Sequence, residues 1–227
     1  MKLPRERLLT KRPVRQVSRE NGAFTLALDR GDRVVAERVI IAAPGPRIAP
    51  ALAELAPEVA AALGAIPFAS SATVLLGFRR EDVLHPLAGY GLVVPQTEGL
   101  RTTALSFVST KFPFRAPEGH VLLRAFLGGV RDPGVLSLTD EQMVELVQRE
   151  MGELLGLRGR PVMTRVFRWP EGTPQLEVGH LEKMAEVEKK MAAMGGLYLA
   201  GAGIRSTGIP DSVAEGTRAA QAAAEGR

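Results

Sequence analysis

The residues best suited to chemistry lie near the end of the sequence, in a glycine-rich loop. The apolar strand GLYLA runs into this loop, which carries Gly201, Gly203 and Gly208, and an Ala-rich helix follows. Glycines permit positive φ and close backbone approach. The helix beginning near Pro210 or Asp211 offers free amides and the positive end of its dipole, with Pro210 suited to the first turn and Asp211 able to cap it. The loop could therefore cradle a pyrophosphate or the carbonyl edge of a ring, and a tight turn without ligand fits the spacing equally well.

Elsewhere few residues are arranged for a reaction. The three histidines, His85, His120 and His180, lie in unrelated contexts, and the sequence has no G-x-S-x-G elbow and no cysteine. A hydrolase triad, a thiol nucleophile and a zinc site are therefore unsupported, and each histidine is interpreted as a surface or structural residue. Glu186 and Glu188 fall on a charged helix face. We predict no catalytic side chain and no metal ligand, and assign any chemistry to a cofactor.

The composition is that of an ordinary globular protein. Of the 227 residues, 45% are hydrophobic and 24% charged, and the net charge is +4. Because the cations are scattered and only 5% of residues are aromatic, nucleic acid is not predicted as a partner. No apolar stretch approaches the roughly 18 residues of a membrane-spanning helix. Without cysteine, a cytoplasmic location is the simplest expectation, and peripheral membrane contact is left open.

Hydrophobic patterning predicts a β-rich beginning and an antiparallel middle. Strands are predicted at 14–18 and 24–28, with a turn at Asn21-Gly22 between them, and at 34–42. The wholly apolar VIIAAP in the last strand is typical of a strand buried on both faces. A helix is predicted at 47–63. The strands TVLLGF, YGLVVP, TTALSFVS and HVLLRAFLGG then follow one another without a helix, which indicates an antiparallel sheet.

The rest of the sequence alternates helices and strands. Thr139 is predicted to cap a helix that ends near residue 155. A strand is predicted at 162–167, ending at Arg168-Trp169-Pro170, and a charged helix is predicted at 181–194. Because VIIAAP and GLYLA both need helices on two faces, we expect the two ends of the chain to pack as one domain with the middle inserted. The predicted fold class is α+β / α/β.

Several segments together resemble one family. GLYLAGAGIRSTGIPDSVAEGTRAA resembles the flavin-binding C-terminus of the oxygen-dependent protoporphyrinogen and coproporphyrinogen oxidases, which are amine-oxidase-like FAD flavoproteins. GYGLVVPQTEGLRTTALSFVSTKFPFRAP and VLLRAFLGG resemble strands of that family's substrate domain, and RWPEGTPQLEVGH resembles its Trp-to-PQ-x-x-GH segment. TKRPVRQVSRENGAFTLAL and VIIAAP resemble the strand pair on the adenine side of the flavin. The resemblance covers almost the whole chain.

The resemblance implies an incomplete two-dinucleotide-type FAD domain built from residues 1–66 and 169–227, with an inserted substrate domain at 67–168 made of an antiparallel sheet and a helix. For each residue implied to line the tetrapyrrole pocket the alternative is a place in the sheet core, and for Val93 taken alone the sheet core is favoured. The residues implied to contact FAD are Val14 on the adenine side, Trp169 near the ring, Gly201 and Ala202 near the pyrophosphate, and Thr207, Gly208 and Ile209 at the ring edge. The residues implied to line the tetrapyrrole pocket are Tyr90, Gly91, Val93, Ser106 and Phe126, of which Phe126 is the best suited to stacking.

Two features depart from the family pattern. No G-x-G-x-x-G turn follows a strand early in the sequence. We therefore expect this chain to lack the pyrophosphate half of the FAD site and the arginine that pairs with a substrate propionate. Ala202 stands where relatives often carry Asn or Asp, and Ser106 replaces a residue that is often apolar.

Three functional hypotheses follow. The first is FAD-dependent oxidation of a porphyrinogen to a porphyrin, a step of heme biosynthesis. The resemblance implies hydride transfer to flavin N5 and O2 as the acceptor. Because the sequence has no cysteine, a non-covalent flavin is expected. The second is a truncated or split chain that binds a tetrapyrrole without catalysis and joins an N-terminal half or self-associates through exposed strands. The third is another amine-oxidase-like flavoprotein, such as a carotenoid desaturase or an amine oxidase, which the PQ…GH segment disfavours.

Overall fold

The structure is a computed structural model that describes residues 4–226. The strands of this part of the chain are β1 (Val14–Glu20), β2 (Ala23–Leu28), β3 (Arg33–Ala36), β4 (Val39–Ile41), β5 (Phe68–Arg79), β6 (Gly91–Val93), β7 (Thr102–Phe107), β8 (His120–Gly128), β9 (Met163–Pro174) and β10 (Leu197–Leu199). The helices are α1 (Gly45–Leu52), α2 (Pro57–Gly64), α3 (Val108–Lys111), α4 (Asp140–Leu155), α5 (His180–Met194) and α6 (Ile209–Glu225). Within residues 4–226, no helix is both long and apolar enough to cross a membrane.

The described chain forms two compact units. The first comprises the residues up to Pro67 together with those from Pro174 onward, and the second comprises Phe68–Thr173. Both contain helices and sheets, which confirms the predicted mixture of α and β structure.

The first unit contains two small sheets. β1, β2 and β3 form an antiparallel sheet, and the predicted turn between β1 and β2 has positive φ at both Asn21 and Gly22, as in a type I′ hairpin. β4 and β10 pair in parallel, with Ile40 opposite Tyr198. The two apolar strands that the sequence places far apart therefore lie side by side in one sheet.

The prediction of one continuous strand over 34–42 is wrong. A bend at Glu37 and Arg38 divides it into β3 and β4, which belong to different sheets. β3 pairs with β2 and β4 pairs with β10. The apolar pattern is compatible with one strand or two, because it carries no information about which partner each half will find.

The single helix predicted at 47–63 is also wrong, since two helices occupy this stretch. α1 ends at Leu52, and α2 begins at Pro57 after a short turn. Proline lacks an amide hydrogen and fits the first turn of a helix, so Pro57 favours a new start at this point.

The second unit is a five-stranded sheet with the order β6-β7-β8-β5-β9, in which the four predicted strands pair antiparallel as expected. One face of this sheet is buried against α4, where Leu76 and Leu123 belong to the same core as Met143. α4 begins with a capping box, because the Thr139 hydroxyl accepts the Gln142 amide at 3.2 Å and the Gln142 side chain accepts the Thr139 amide at 2.9 Å. The predicted helix and its start are confirmed.

The strand predicted at 162–167 is too short. β9 continues through Arg168-Trp169-Pro170 and ends at Pro174. It lies at the edge of the sheet, next to β5. An edge strand tolerates prolines because one row of its backbone groups needs no partner in the sheet.

Candidate functional site

The loop between β10 and α6 is attached to β4 at its start. Ala200 donates its amide hydrogen to the carbonyl oxygen of Ile41 at 2.9 Å. Gly201 and Gly203 then have φ values of 101° and 91°, which favour glycine. The predicted use of positive φ is confirmed at these two residues, whereas Gly208 has a φ of −74° and does not need it.

His180 holds the middle of the loop. This residue begins α5 and is only 7% exposed, and its Nε2 lies 2.9 Å from the carbonyl oxygen of Ile204. A carbonyl oxygen can only accept, so Nε2 carries the hydrogen and donates it. The interpretation of His180 as structural agrees with this contact. The sequence did not identify its partner, although the PQ…GH segment was one signal that the residue matters.

Four charged residues join the loop to the two helices beside it. Glu188 of α5 and Glu215 of α6 both pair with Arg205 of the loop and with Arg218 of α6. Arg205 Nε lies 3.8 Å from Glu215 Oε1, and Arg218 Nη2 lies 3.5 Å from Glu188 Oε1. Because the Glu215 side chain is only 12% exposed, water and salt screen its ion pairs less than they screen a surface pair. Glu188 thus has a structural role that its place on a charged helix face did not reveal.

The prediction that Asp211 caps α6 is wrong. Asp211 lies inside the first turn, and no side chain caps this helix. Its carboxylate instead accepts the Ser206 hydroxyl hydrogen at 2.6 Å, and the Ser206 oxygen accepts the Gly208 amide at 3.2 Å. The Asp211 charge still lies at the positive end of the helix dipole, where it is stabilising.

The start of α6 keeps two backbone donors. Ser212 is the first residue whose amide bonds within the helix, to the carbonyl oxygen of Gly208 at 2.9 Å. Pro210 lies in the first turn, as predicted, and has no amide hydrogen, so the amides of Ile209 and Asp211 have no intrahelical acceptor. The exposed residues of this stretch are the uncharged Ala202, Thr207, Ile209 and Pro210 and the charged Arg205 and Asp211.

The remaining residues predicted to contact FAD lie on other elements. Val14 begins β1, in the three-stranded sheet. Trp169 lies in β9 of the second unit and is 52% exposed. Their contacts with FAD stay predictions.

Four of the five residues predicted to line the tetrapyrrole pocket lie on one face of three adjacent strands. Gly91 of β6 is opposite Ser106 of β7. Val93 is opposite Ala104, which is itself opposite Phe126 of β8. The residues that alternate with them on these strands pack into or against the core, so Gly91, Val93, Ser106 and Phe126 point to the opposite face. We call this the open sheet face.

The residues of the open sheet face differ in exposure. Val93 is 80% exposed, so the interpretation of Val93 as sheet core is wrong. Phe126 is half-buried. Tyr90, the fifth predicted residue, immediately precedes β6 and is 68% exposed, and its carbonyl oxygen accepts the Phe107 amide at 3.0 Å. All five residues therefore belong to one part of the second unit.

One edge of β10 is free in the described chain. Within residues 4–226 this strand pairs with β4 alone. A cleft of about 250 Å³ borders β10 and is lined by residues of α5 and α6 that include the apolar Met191 and Ala219 and the charged Glu188 and Arg218. Tyr198 of β10 also lines this cleft, and its buried hydroxyl has no hydrogen-bond partner among residues 4–226. A strand edge of this kind is a ready template for pairing with another strand.

The clear pKa shifts belong to ion pairs on other elements. A hydrogen bond from Arg15 lowers the pKa of Asp29, and a hydrogen bond from Lys190 lowers the pKa of Glu58. A hydrogen bond to Asp132 raises the pKa of Arg101. These shifts stabilise the charged forms of residues outside the loop and the open sheet face.

The comparisons with known proteins identify the class. The family model described as flavin containing amine oxidoreductase matches residues 2–224. The chain therefore belongs to the flavin-containing amine oxidoreductases, a family of oxidoreductases that carry a flavin.

Individual relatives are more specific. The chain is 34% identical over 207 residues to a coproporphyrinogen III oxidase of Bacillus subtilis, a match that covers 91% of this chain and 44% of the relative. It is 38% identical over 120 residues to a chloroplastic protoporphyrinogen oxidase of Nicotiana tabacum, covering 51% of this chain and 22% of the relative. The resemblance to porphyrinogen oxidases is confirmed, and the chain spans less than half the length of these relatives.

Solved structures agree on the fold. A protein from Exiguobacterium sp. 255-15 that is described as a protoporphyrinogen oxidase superposes with a TM-score of 0.81 and 29% identity, covering 94% of this chain and 47% of its own. A putrescine oxidase variant gives a TM-score of 0.70 with 18% identity, covering 94% of this chain and 48% of its own, and shows the fold alone.

Proposed function

We propose that this chain takes part in the FAD-dependent oxidation of a porphyrinogen to a porphyrin, with O2 as the final acceptor. The observation that carries the proposal is the open sheet face, where Gly91, Val93, Ser106 and Phe126 form one partly apolar surface. A flat macrocycle suits such a surface because an aromatic ring and small side chains allow broad contact. The relatives named as porphyrinogen oxidases support the same substrate class.

The loop between β10 and α6 fits the edge of a flavin ring. The free amides of Ile209 and Asp211 can donate hydrogen bonds to an electron-rich group. The Asp211 carboxylate already complements the helix dipole and would repel a phosphate, so a neutral carbonyl edge suits this end of the helix better. We therefore assign the ring edge to Thr207, Gly208 and Ile209, and the pyrophosphate side to Gly201 and Ala202. Val14 and Trp169 complete the proposed set.

The protein's part in this reaction is binding and orientation. The chemistry that a flavin supplies when bound is acceptance of a hydride from the substrate. The backbone of the loop orients the flavin ring. The open sheet face binds one side of the macrocycle and shields that side from water. No side chain of the loop or of the open sheet face is assigned a proton-transfer role.

Titration with FAD tests the cofactor assignment. We expect saturable quenching of flavin fluorescence with a dissociation constant in the micromolar range, which corresponds to a binding free energy of about −8 kcal/mol. Ile209→Asp should weaken binding at least about tenfold, because it places a charge at the ring edge. Val213→Asp is the matched control, since Val213 is also exposed and lies one turn further along α6. Absence of saturable quenching by the wild-type chain would contradict the assignment.

A second candidate function is tetrapyrrole binding without catalysis, in a chain that joins a separate N-terminal half or a second copy. The observation that favours it is that β10 pairs on one edge only among the described residues 4–226. Another activity of the flavin-containing amine oxidoreductases, such as amine oxidation, is the remaining alternative.

Phe126→Ala separates substrate binding from flavin binding. We expect the variant to bind coproporphyrin III about tenfold more weakly than the wild type, because a stacked aromatic ring contributes on the order of 1 to 2 kcal/mol. Its affinity for FAD should not change. Phe114→Ala is the matched control, because Phe114 is 79% exposed and lies outside the strands. Porphyrin fluorescence measures the porphyrin affinity of both variants, and flavin fluorescence measures their FAD affinity. Equal porphyrin affinities of Phe126→Ala and wild type would remove Phe126 from the site.

A further inference from the structure

Arg124 lies in the middle of the open sheet face. It occupies the centre of β8, two residues before Phe126, and therefore points to the same side of the sheet. Its neighbours across the strands are Ser106 of β7 and Leu75 of β5. The only cation of β8 thus lies among the residues proposed to contact the macrocycle.

The Arg124 guanidinium lies beside the aromatic ring of Phe126, and no anionic side chain among residues 4–226 pairs with it. The Arg124 Cζ atom lies 4.9 Å from the centroid of the Phe126 ring. The Nε atom is buried without a hydrogen-bond partner, and no ion pair to Arg124 is found among residues 4–226. Other arginines of the second unit do have carboxylate partners, including Arg101 with Asp132 and Arg168 with Asp140.

A buried donor without an acceptor is unfavourable, because it has lost its hydrogen bonds to water and gained none in return. The Nε atom itself is not accessible, so the terminal nitrogens of Arg124 are the groups that a ligand can reach. A planar anion that can accept parallel hydrogen bonds suits them, and a carboxylate has this shape. Ser106 and Leu75 carry no charge and so leave the positive charge available to a ligand.

We propose that Arg124 binds a carboxylate side chain of the tetrapyrrole while Phe126 contacts its ring. This inference rests on the proposed function, because it assumes a macrocycle on the open sheet face. Porphyrinogens and porphyrins of this kind carry carboxylates on flexible arms around a flat, apolar ring. A ring stacked on Phe126 brings such an arm within reach of a guanidinium that lies 4.9 Å from the same aromatic ring.

The arrangement makes Arg124 a specificity-determining residue. Arg124 binds the charged group at the margin of the ligand. Phe126 contacts the flat ring and does not distinguish an acid from an ester. The chain should therefore prefer porphyrins with free carboxylates over the same porphyrins with those groups esterified.

Porphyrin titration without flavin tests the proposal, using coproporphyrin III and its tetramethyl ester. We expect the wild-type chain to bind the acid about tenfold more tightly than the ester, because a charge-assisted pair is worth at least that factor. Arg124→Gln should lose this preference by weakening acid binding alone, and Arg124→Lys should keep part of it. Arg79→Gln is the matched control, because Arg79 is an exposed arginine at the end of β5 in the same unit.

The outcomes separate the two proposals. Acid preference that persists in Arg124→Gln overturns the role of Arg124 and leaves the proposed function intact. A wild-type chain that binds neither the acid nor the ester overturns the proposed substrate class, and the inference about Arg124 falls with it. A loss of preference in Arg79→Gln as large as in Arg124→Gln would show that net charge is responsible, which also overturns the inference. Circular dichroism of each variant confirms that it is folded.

Discussion

His180→Ala should lower the free energy of unfolding of the first unit by about 2 to 4 kcal/mol and weaken FAD binding by at least about tenfold. Two physical effects add. The carbonyl oxygen of Ile204, in a residue that is only 3% exposed, loses its hydrogen-bond donor, and removal of the buried imidazole leaves a cavity. The loop that follows Ile204 then loses its fixed position beside α6.

Local hydrogen exchange and urea denaturation measure this effect. In His180→Ala, the amides of the loop from Gly203 to Gly208 should exchange faster, and the midpoint of unfolding by circular dichroism should fall. His120→Ala is the matched control, because the His120 ring hydrogen-bonds a backbone carbonyl only two residues away, that of Glu118 at 3.0 Å. If the two variants lose equal stability and bind FAD equally well, His180 does not hold the loop.

Gly91→Ala should detach β6 from the sheet and abolish porphyrin binding. Gly91 has a φ of 145°, and a Cβ atom there would lie 2.1 Å from the carbonyl oxygen of Leu105 and 2.9 Å from the Cα of Ser106. Both atoms are backbone atoms of the paired strand, so no rotamer change relieves the clash. The cost should be on the order of 3 kcal/mol or more, the range of changes that break a close backbone contact.

Gly89→Ala provides the control for Gly91→Ala. Gly89 also has a positive φ, of 93°, but a Cβ atom there would meet nothing within 4 Å. Its substitution should cost only the conformational strain of about 1 to 2 kcal/mol. The difference between the two variants in chemical denaturation and in porphyrin affinity isolates the steric effect. Equal losses in the two would mean that β6 can shift away from β7 and that the close approach is not required.

Local signals predicted several elements well. Thr139 as a cap and the one-sided apolar pattern after it predicted α4, and the structure confirms both. The Asn21-Gly22 pair predicted a turn, because those two residue types tolerate positive φ well, and both have positive φ in the structure. Each signal depends on residues that are close in sequence and act through their own backbone.

The errors arose where the partner of a segment decided its structure. Residues 34–42 form two strands because β2 and β10 lie in different places, and apolar content does not show which strand pairs with which. β9 continues past Pro170 because it is an edge strand, a property of the sheet and not of the segment. Asp211 bonds Ser206 in place of capping α6, because the loop brings that hydroxyl to its carboxylate.

The sequence by itself determined the family of this protein, the glycines that shape its C-terminal loop, and the residue types on the open sheet face, because these depend on motifs and on strand alternation. Only the tertiary structure decided that His180 holds that loop at Ile204, and that Arg124 lies beside Phe126 without a counter-charge. Hydrogen bonds and charge compensation act between groups distant in sequence. The environment of a buried donor is therefore set by folding, and no spacing along the chain reveals it.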